Sequence, residues 1–145
     1  MTLTDAGPLL ALLDRQDPYH SLCRSALTAF PRVPLLTTTP CFSEAMYMLG
    51  REGGHEYQAE LWKMRADGKL RLHELTPAEL DRSAGLMEQY WNVPMDFADA
   101  SLVAVAETRS MRRVFTLDHH FWIYRRGDGS TFEAFPGSSP RSKQI

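Results

Sequence analysis

The sequence predicts an α/β protein built on a central, mostly parallel sheet. Three observations predict it. Short apolar runs recur near residues 2–5, 33–38, 69–74 and 114–117, each brief enough for a strand. Longer stretches with helical spacing lie between them, and several open on a capping or proline signal. Strands that alternate with helices of this length imply βαβ units and hence a parallel sheet. A chain of 145 residues is the size of one compact domain. Its 43% hydrophobic and 23% charged residues are those of a globular protein and exclude a disordered chain.

Residues 2–5 form the first short strand. Gly7 and Pro8 then introduce Leu9, Leu10, Leu12 and Leu13 in a helix with proline in its first turn. A second helix is expected over His20 to Phe30, burying Leu22, Cys23, Ala26 and Phe30. Val33 to Thr38 is the second strand, and Pro34 puts its beginning at an edge or outside the ladder. Thr39-Pro40 reads as an N-cap hydroxyl followed by proline at the first helical position. Phe42, Ala45, Met46 and Leu49 follow at helical spacing until Gly53-Gly54 ends the run. His55 to Ala66 is a further helix.

In Lys69 to Glu74, Leu70 and Leu72 alternate with Arg71 and His73, a strand pattern. Thr76-Pro77-Ala78-Glu79 is a capping box opening a helix to about Trp91. Asp96 to Arg109 is a helix, and Val114 to Leu117 a strand ending at Asp118. From Pro136 to Ile145 periodicity is lost, so the domain is expected over 1–135 and a flexible tail over 136–145.

A net charge of -2 gives no general attraction to nucleic acid, so any RNA must be held by local patches. All the basic residues except Lys63, Lys69 and Lys143 are arginine, the side chain suited to bidentate phosphate contacts. Cys23 and Cys41 are too few for a disulfide framework and are expected as reduced, buried thiols. The segment Met1 to Asp5 has no basic region and does not read as a signal peptide. No apolar run approaches the roughly 20 residues that span a bilayer. The expectation is a cytoplasmic protein with no membrane contact.

In open α/β sheets, ligands sit outside the carboxyl ends of the strands. Asp5 follows the first strand, Asp118 follows the last, and Glu44 is expected in the first turn of the helix after the second. All three would face one end of the sheet. Each also has a plainer role: Asp5 as a helix cap, Glu44 as a solvated acid favoured by the helix dipole, and Asp118 as a turn opener. Asp99 resists the plainer role. Helical geometry sets it between Leu102, Val103 and Ala106, where an ionised carboxylate is costly without partners. Asp96, three residues earlier, can approach the same site or cap the helix.

These blocks resemble the PIN domain family, in particular its VapC-like toxin branch. Leu3-Thr4-Asp5, followed by Leu9-Leu10-Ala11-Leu12-Leu13-Asp14, resembles the family's opening. Thr37-Thr38-Thr39-Pro40 through Ser43-Glu44-Ala45 resembles the segment carrying its glutamate. The run from Pro94 through Asp96, Asp99 and Ala100 to Glu107 is the most specific match, resembling the third acid and its helix. Val114 to Asp118, with Phe121 beyond, is similar to the strand and final acid. The blocks stand in family order across residues 3–121.

The resemblance implies a three-layer α/β/α PIN-like fold and an acidic site of Asp5, Glu44, Asp99 and Asp118, with Asp96 as an additional member. It also implies an antitoxin partner that blocks the acidic cleft, and a homodimer. Trp62, Tyr90 and Trp91 are candidates for such contacts, although burial is the expected fate of most. The chain departs from the family in two places. Ala6, Gly7 and Pro8 stand where relatives often carry a hydroxyl just after the first aspartate, and the loop pair His119-His120 stands where relatives vary. Those histidines are expected to meet solvent or RNA rather than metal.

Two carboxylates about 4 Å apart repel by roughly 4 kcal/mol at an effective dielectric near 20. Converging acids therefore need a cation, a shared proton or both. Oxygen ligands select hard ions, Mg²⁺ or Mn²⁺. The expected reaction is hydrolysis of an RNA phosphodiester by metal-activated water. Asp5 and Asp99 would be the principal ligands, with Glu44 and Asp118 binding a second ion or orienting water. Arg112, Arg113, Arg125 and Arg126 are the candidate phosphate contacts. Two other enzyme classes are excluded: a haloacid-dehalogenase-like phosphatase needs a second Asp where Gly7 stands, and a receiver domain needs a lysine after a late strand. The remaining alternative is a degenerate PIN-like module that binds RNA or protein without catalysis.

Overall fold

The structure, a computed structural model, describes residues 1–136. The expected tail, beyond Pro136, lies outside the described residues. Five strands form one sheet: β1 (Thr2–Thr4), β2 (Leu35–Thr38), β3 (Leu70–His73), β4 (Arg113–Phe115) and β5 (Glu133–Phe135). Their order is β3-β2-β1-β4-β5, and every neighbouring pair is parallel. Helices α1 (Ala6–Leu13) and α2 (His20–Leu27) join β1 to β2, and α3 (Thr39–Gly53) and α4 (His55–Ala66) join β2 to β3. Helices α5 (Pro77–Gln89) and α6 (Phe97–Thr108) carry the chain back past β1 to β4, followed by a 3-10 turn at His119–Trp122.

Reversing direction across the sheet puts the later helices on the opposite face, because parallel crossovers keep one hand. Side-chain alternation along the strands fills both faces. Leu35, Leu70 and Phe115 pack with Leu9, Phe42, Ala45, Leu49 and Leu61. Leu3, Leu36 and Val114 pack with Leu86, Leu102, Val103 and Ala106. The expected three-layer α/β/α architecture is present.

The local signals explain most boundaries. Pro34 stays outside β2, as its missing N–H requires. Gly54, at φ 70°, ends α3 in a conformation that an L side chain rarely adopts. The Thr76 capping box is complete: Glu79 N–H donates to Thr76 Oγ1 at 3.1 Å, and Thr76 N–H to Glu79 Oε1 at 2.9 Å.

Several expectations need correction. Thr38, not Thr39, caps α3, accepting Cys41 N–H at 3.4 Å. The cap moves back one residue because Thr38 still has extended backbone, and Glu44, the sixth helical residue, lies in the second turn rather than the expected first. Helix α2 stops at Leu27 and buries only Cys23 fully; Leu22 is 44% exposed. Phe30 is buried from the loop beyond, edge-on to Phe115 and Phe135. Trp62 and Trp91 are exposed, and of the three candidate aromatics only Tyr90 is buried. The last expected strand begins one residue earlier and ends at Phe115, while β5 was not foreseen. Both cysteines are buried as expected.

Candidate active site

Strand order reverses at β1, whose neighbours are β2 on one side and β4 on the other. Such a reversal opens a crevice at the carboxyl ends of the strands, where chain crossovers leave in opposite directions. Asp5 is the first residue after β1, and Asp118 lies just beyond β4. Asp99 arrives from the first turn of α6, whose small, apolar surface is buried almost throughout. One carboxylate oxygen from each of Asp5, Asp99 and Asp118 lies within 4.8 Å of the other two.

Asp5 is held at both oxygens. Oδ1 accepts the Ala6 N–H at 2.7 Å and Oδ2 accepts the Thr116 hydroxyl at 3.0 Å. The Thr116 Oγ1 in turn accepts the Asp118 N–H at 3.0 Å. Asp96 and Asp99 form a reciprocal capping box: Asp99 N–H donates to Asp96 Oδ1 at 2.8 Å, and Asp96 N–H to Asp99 Oδ2 at 3.3 Å. Asp96 is therefore the N-cap of α6, while Asp99 completes the capping box from the third helical position and joins the cluster at once. A hydroxyl pair, Thr38 Oγ1 and Ser101 Oγ at 2.7 Å, ties the start of α3 to α6 beneath the site. The buried Cys41 thiol packs 3.9 Å from Asp5 Oδ1, and burial followed by the Asp5 charge holds its pKa well above the usual value.

The carboxyls resist ionisation together. Burial pushes Asp5 up to about 6 despite the Ala6 and Thr116 hydrogen bonds, and the Asp118 and Asp96 charges push the same way. Asp99 is pushed up to about 9, first by burial and then by Asp5, Asp96 and Asp118. Glu44 is an exposed residue on the rim, yet its partly desolvated carboxyl, facing Asp96, Asp5 and Asp118, is pushed up to about 7. Buried acids repelling one another are a site that a cation would relieve. The donor set is all oxygen, which fits a hard divalent ion such as Mg²⁺ or Mn²⁺.

Not every candidate joins this cluster. Glu44 lies outside the trio and lines, with Tyr47, Asp96 and Phe97, an open cleft of about 910 Å³. Asp96 commits Oδ1 to the cap of α6, beside the cluster. Arg112 and Arg113 lie at the start of β4, at the opposite end of the sheet, where Arg113 sits over the Phe135 ring at 5.6 Å. Arg125 turns inward, one guanidinium nitrogen donating to the carbonyls of Trp122, Ile123 and Tyr124. Arg126 Nη1 donates to Ser130 Oγ at 3.3 Å. An apolar cavity of about 490 Å³ near Leu27, Phe30 and Met64 opens by the amino ends of β1 and β2 and holds no carboxylate.

Sequence reasoning missed Thr116, Tyr124 and the role of His120. Tyr124 Oη lies 2.9 Å from the Pro94 carbonyl and 3.4 Å from Asp99 Oδ2. His120 Nδ1 sits 2.8 Å from Asp118 Oδ1, and a ligand atom from each of Asp118, His119 and His120 also falls within 4.8 Å. For Thr116 a signal existed: a hydroxyl residue two before a candidate acid, at the end of a buried strand.

The PIN domain family model matches residues 2–126. Ribonuclease VapC26 of Mycobacterium tuberculosis is 24% identical over 135 residues, 92% of this chain and 99% of that relative. The crystal structure of Mycobacterium tuberculosis VapC20, a sarcin-ricin loop cleaving toxin, aligns with a TM-score of 0.73 at 18% identity, covering 79% of this chain and 87% of that one. A toxin-antitoxin complex from Klebsiella pneumoniae aligns with a TM-score of 0.63 at 18% identity over 97% of this chain and 98% of that one.

Proposed function

The chain belongs to the PIN domain family, and on that premise we propose that it is a VapC-like toxin ribonuclease that hydrolyses RNA phosphodiester bonds with a divalent metal. The observation that carries this reading is the convergence of Asp5, Asp99 and Asp118 oxygens within 4.8 Å at the reversal of strand order. The relatedness to VapC26 over nearly the whole chain supports the same activity.

Asp5, Asp99 and Asp118 would hold Mg²⁺ or Mn²⁺, and Asp96 would lend negative charge beside them. When bound, the ion supplies a Lewis acid that activates water and neutralises charge developing at phosphorus. The protein's own groups do the rest. Thr116 and the Ala6 amide fix the Asp5 carboxylate, and the capping box fixes Asp99. Glu44, on the rim with its carboxyl near neutrality, orients the attacking water and can accept its proton. Among the candidate arginines, Arg125 and Arg126 follow the 3-10 turn after Asp118 and are retained as phosphate contacts. Arg112 and Arg113, at the far end of β4, are not.

The structural likeness to a toxin-antitoxin complex supports an antitoxin as the partner and regulator. Exposed Tyr47, Trp62 and Trp91 offer apolar area for an antitoxin or for a second copy in a homodimer. No helix among the described residues is long and apolar enough to cross a membrane. A degenerate binding module is disfavoured, since all the acids are present and Thr116 supplies a hydroxyl to Asp5 that Ala6 and Gly7 cannot.

The test compares wild type with Asp99→Asn on labelled single-stranded RNA in Mg²⁺, Mn²⁺ or EDTA. Cleavage should require both the metal and Asp99; equal cleavage by the two proteins would refute the assignment.

A further inference from the structure

We infer that Thr116 is a positioning residue for the metal site, its hydroxyl setting the separation and orientation of Asp5 and Asp118. This rests on the nuclease reading above and deepens it. The geometry is specific. One hydroxyl, on a residue only 3% exposed, donates to Asp5 Oδ2 and accepts from Asp118 N–H, each at 3.0 Å. The two acids are thereby joined through a single oxygen, although they are far apart in sequence.

No nearer residue can do this. Ala6, Gly7 and Pro8 carry no hydroxyl, and Thr4 turns its own toward the Asp5 carbonyl at 3.0 Å. Thr116 is itself anchored, its N–H donating to the Phe135 carbonyl at 2.8 Å, so the edge strand β5 buttresses the site. With Oδ1 held by Ala6 N–H and the Cys41 thiol and Oδ2 by Thr116, the Asp5 carboxylate is fixed in rotation, and Oδ2 keeps a lone pair for a cation. Partners of this kind are commonly worth about 10–100-fold in metal affinity.

The experiment measures Mn²⁺ affinity by calorimetry and RNA cleavage for wild type, Thr116→Val, Thr116→Ala and Thr116→Ser, with melting in EDTA as the control for folding. Valine keeps the shape without the hydroxyl. Thr116→Val and Thr116→Ala should each bind Mn²⁺ about 10–100-fold more weakly, while Thr116→Ser stays within about threefold of wild type. If Thr116→Val fails to melt cooperatively, Thr116→Ala against Thr116→Ser makes the same comparison. Undiminished affinity in a hydroxyl-free variant, or an equal loss in Thr116→Ser, overturns the inference. Wild type that neither binds Mn²⁺ nor cuts RNA defeats the nuclease reading instead.

Discussion

The phenol oxygen of Tyr124 lies 3.4 Å from Oδ2 of Asp99 and 2.9 Å from the carbonyl of Pro94. The phenol proton is shared unequally, and the shorter contact takes most of it. Asp99 keeps only the longer, weaker share, which does not offset the burial and acidic neighbours that push its carboxyl up to about 9. Tyr124→Phe strips the Pro94 carbonyl of this donor in a buried setting. The expected cost is about 1–3 kcal/mol, read from urea unfolding. An unchanged midpoint would show that water replaces the phenol.

The raised carboxyls make a prediction about pH. Asp5 at about 6, Glu44 at about 7 and Asp99 at about 9 all exceed their ordinary values of 3.8, 4.5 and 3.8. The folded protein thus binds more protons than the unfolded chain between those limits, and its stability falls as pH rises through them. In EDTA, the urea midpoint should drop from about pH 5 to about pH 8. Saturating Mn²⁺ should remove most of that drop, because the ion binds the ionised folded form. A midpoint that rises with pH in EDTA would contradict the electrostatic picture of the site.

Asp99→Asn separates stability from function. The amide can still accept the Asp96 N–H, so the capping box survives, while the cost of protonating Asp99 on folding at about pH 8 is removed. In EDTA near pH 8 the variant should melt several degrees above wild type, since each kcal/mol moves the midpoint by about 2–8 °C in small domains. Its Mn²⁺ affinity should fall by more than the roughly 10–100-fold that loss of a supporting contact costs. A variant that is less stable than wild type without metal would mean that the carboxylates do not repel as described.

Glu79 should behave in the opposite sense. It is buried, and burial alone would raise its pKa. Hydrogen bonds from Thr108, the Thr76 amide and His73 outweigh burial and bring it to about 2. Its contribution to stability is present above its unfolded value of 4.5 and lost as pH falls through about 2. Glu79→Gln should cost about 1.5–3 kcal/mol near neutrality, the range for hydrogen bonds to a charged group. It should also flatten the acid limb of the stability curve. Retained stability at neutral pH would remove this network from the account.

Much of this fold was legible because local signals agreed with the global pattern. The Thr76 capping box, the Gly53-Gly54 stop and the apolar run after Asp99 each mark an element whose chemistry is contained in a few adjacent residues. Strand β5 was not legible: three residues are too few for periodicity, and their pairing with β4 is set by tertiary contact. Asp5 and Asp118 could be read because each follows a strand, and Asp99 because it falls on an apolar helix face. Which of them share an ion depends on angles of approach that sequence spacing does not carry. Glu44 shows this, since it sits in the second turn of α3, exposed on the rim and outside the trio. Thr116 escaped notice for a related reason, as a hydroxyl acquires meaning only once its two partners are brought to it.

The most direct measurement is the anomalous signal from a crystal grown or soaked with Mn²⁺. A peak bonded at about 2 Å by oxygens of Asp5, Asp99 and Asp118 is expected. A fully substituted crystal with no peak between these three carboxylates, or with the ion held by other residues, would contradict this expectation.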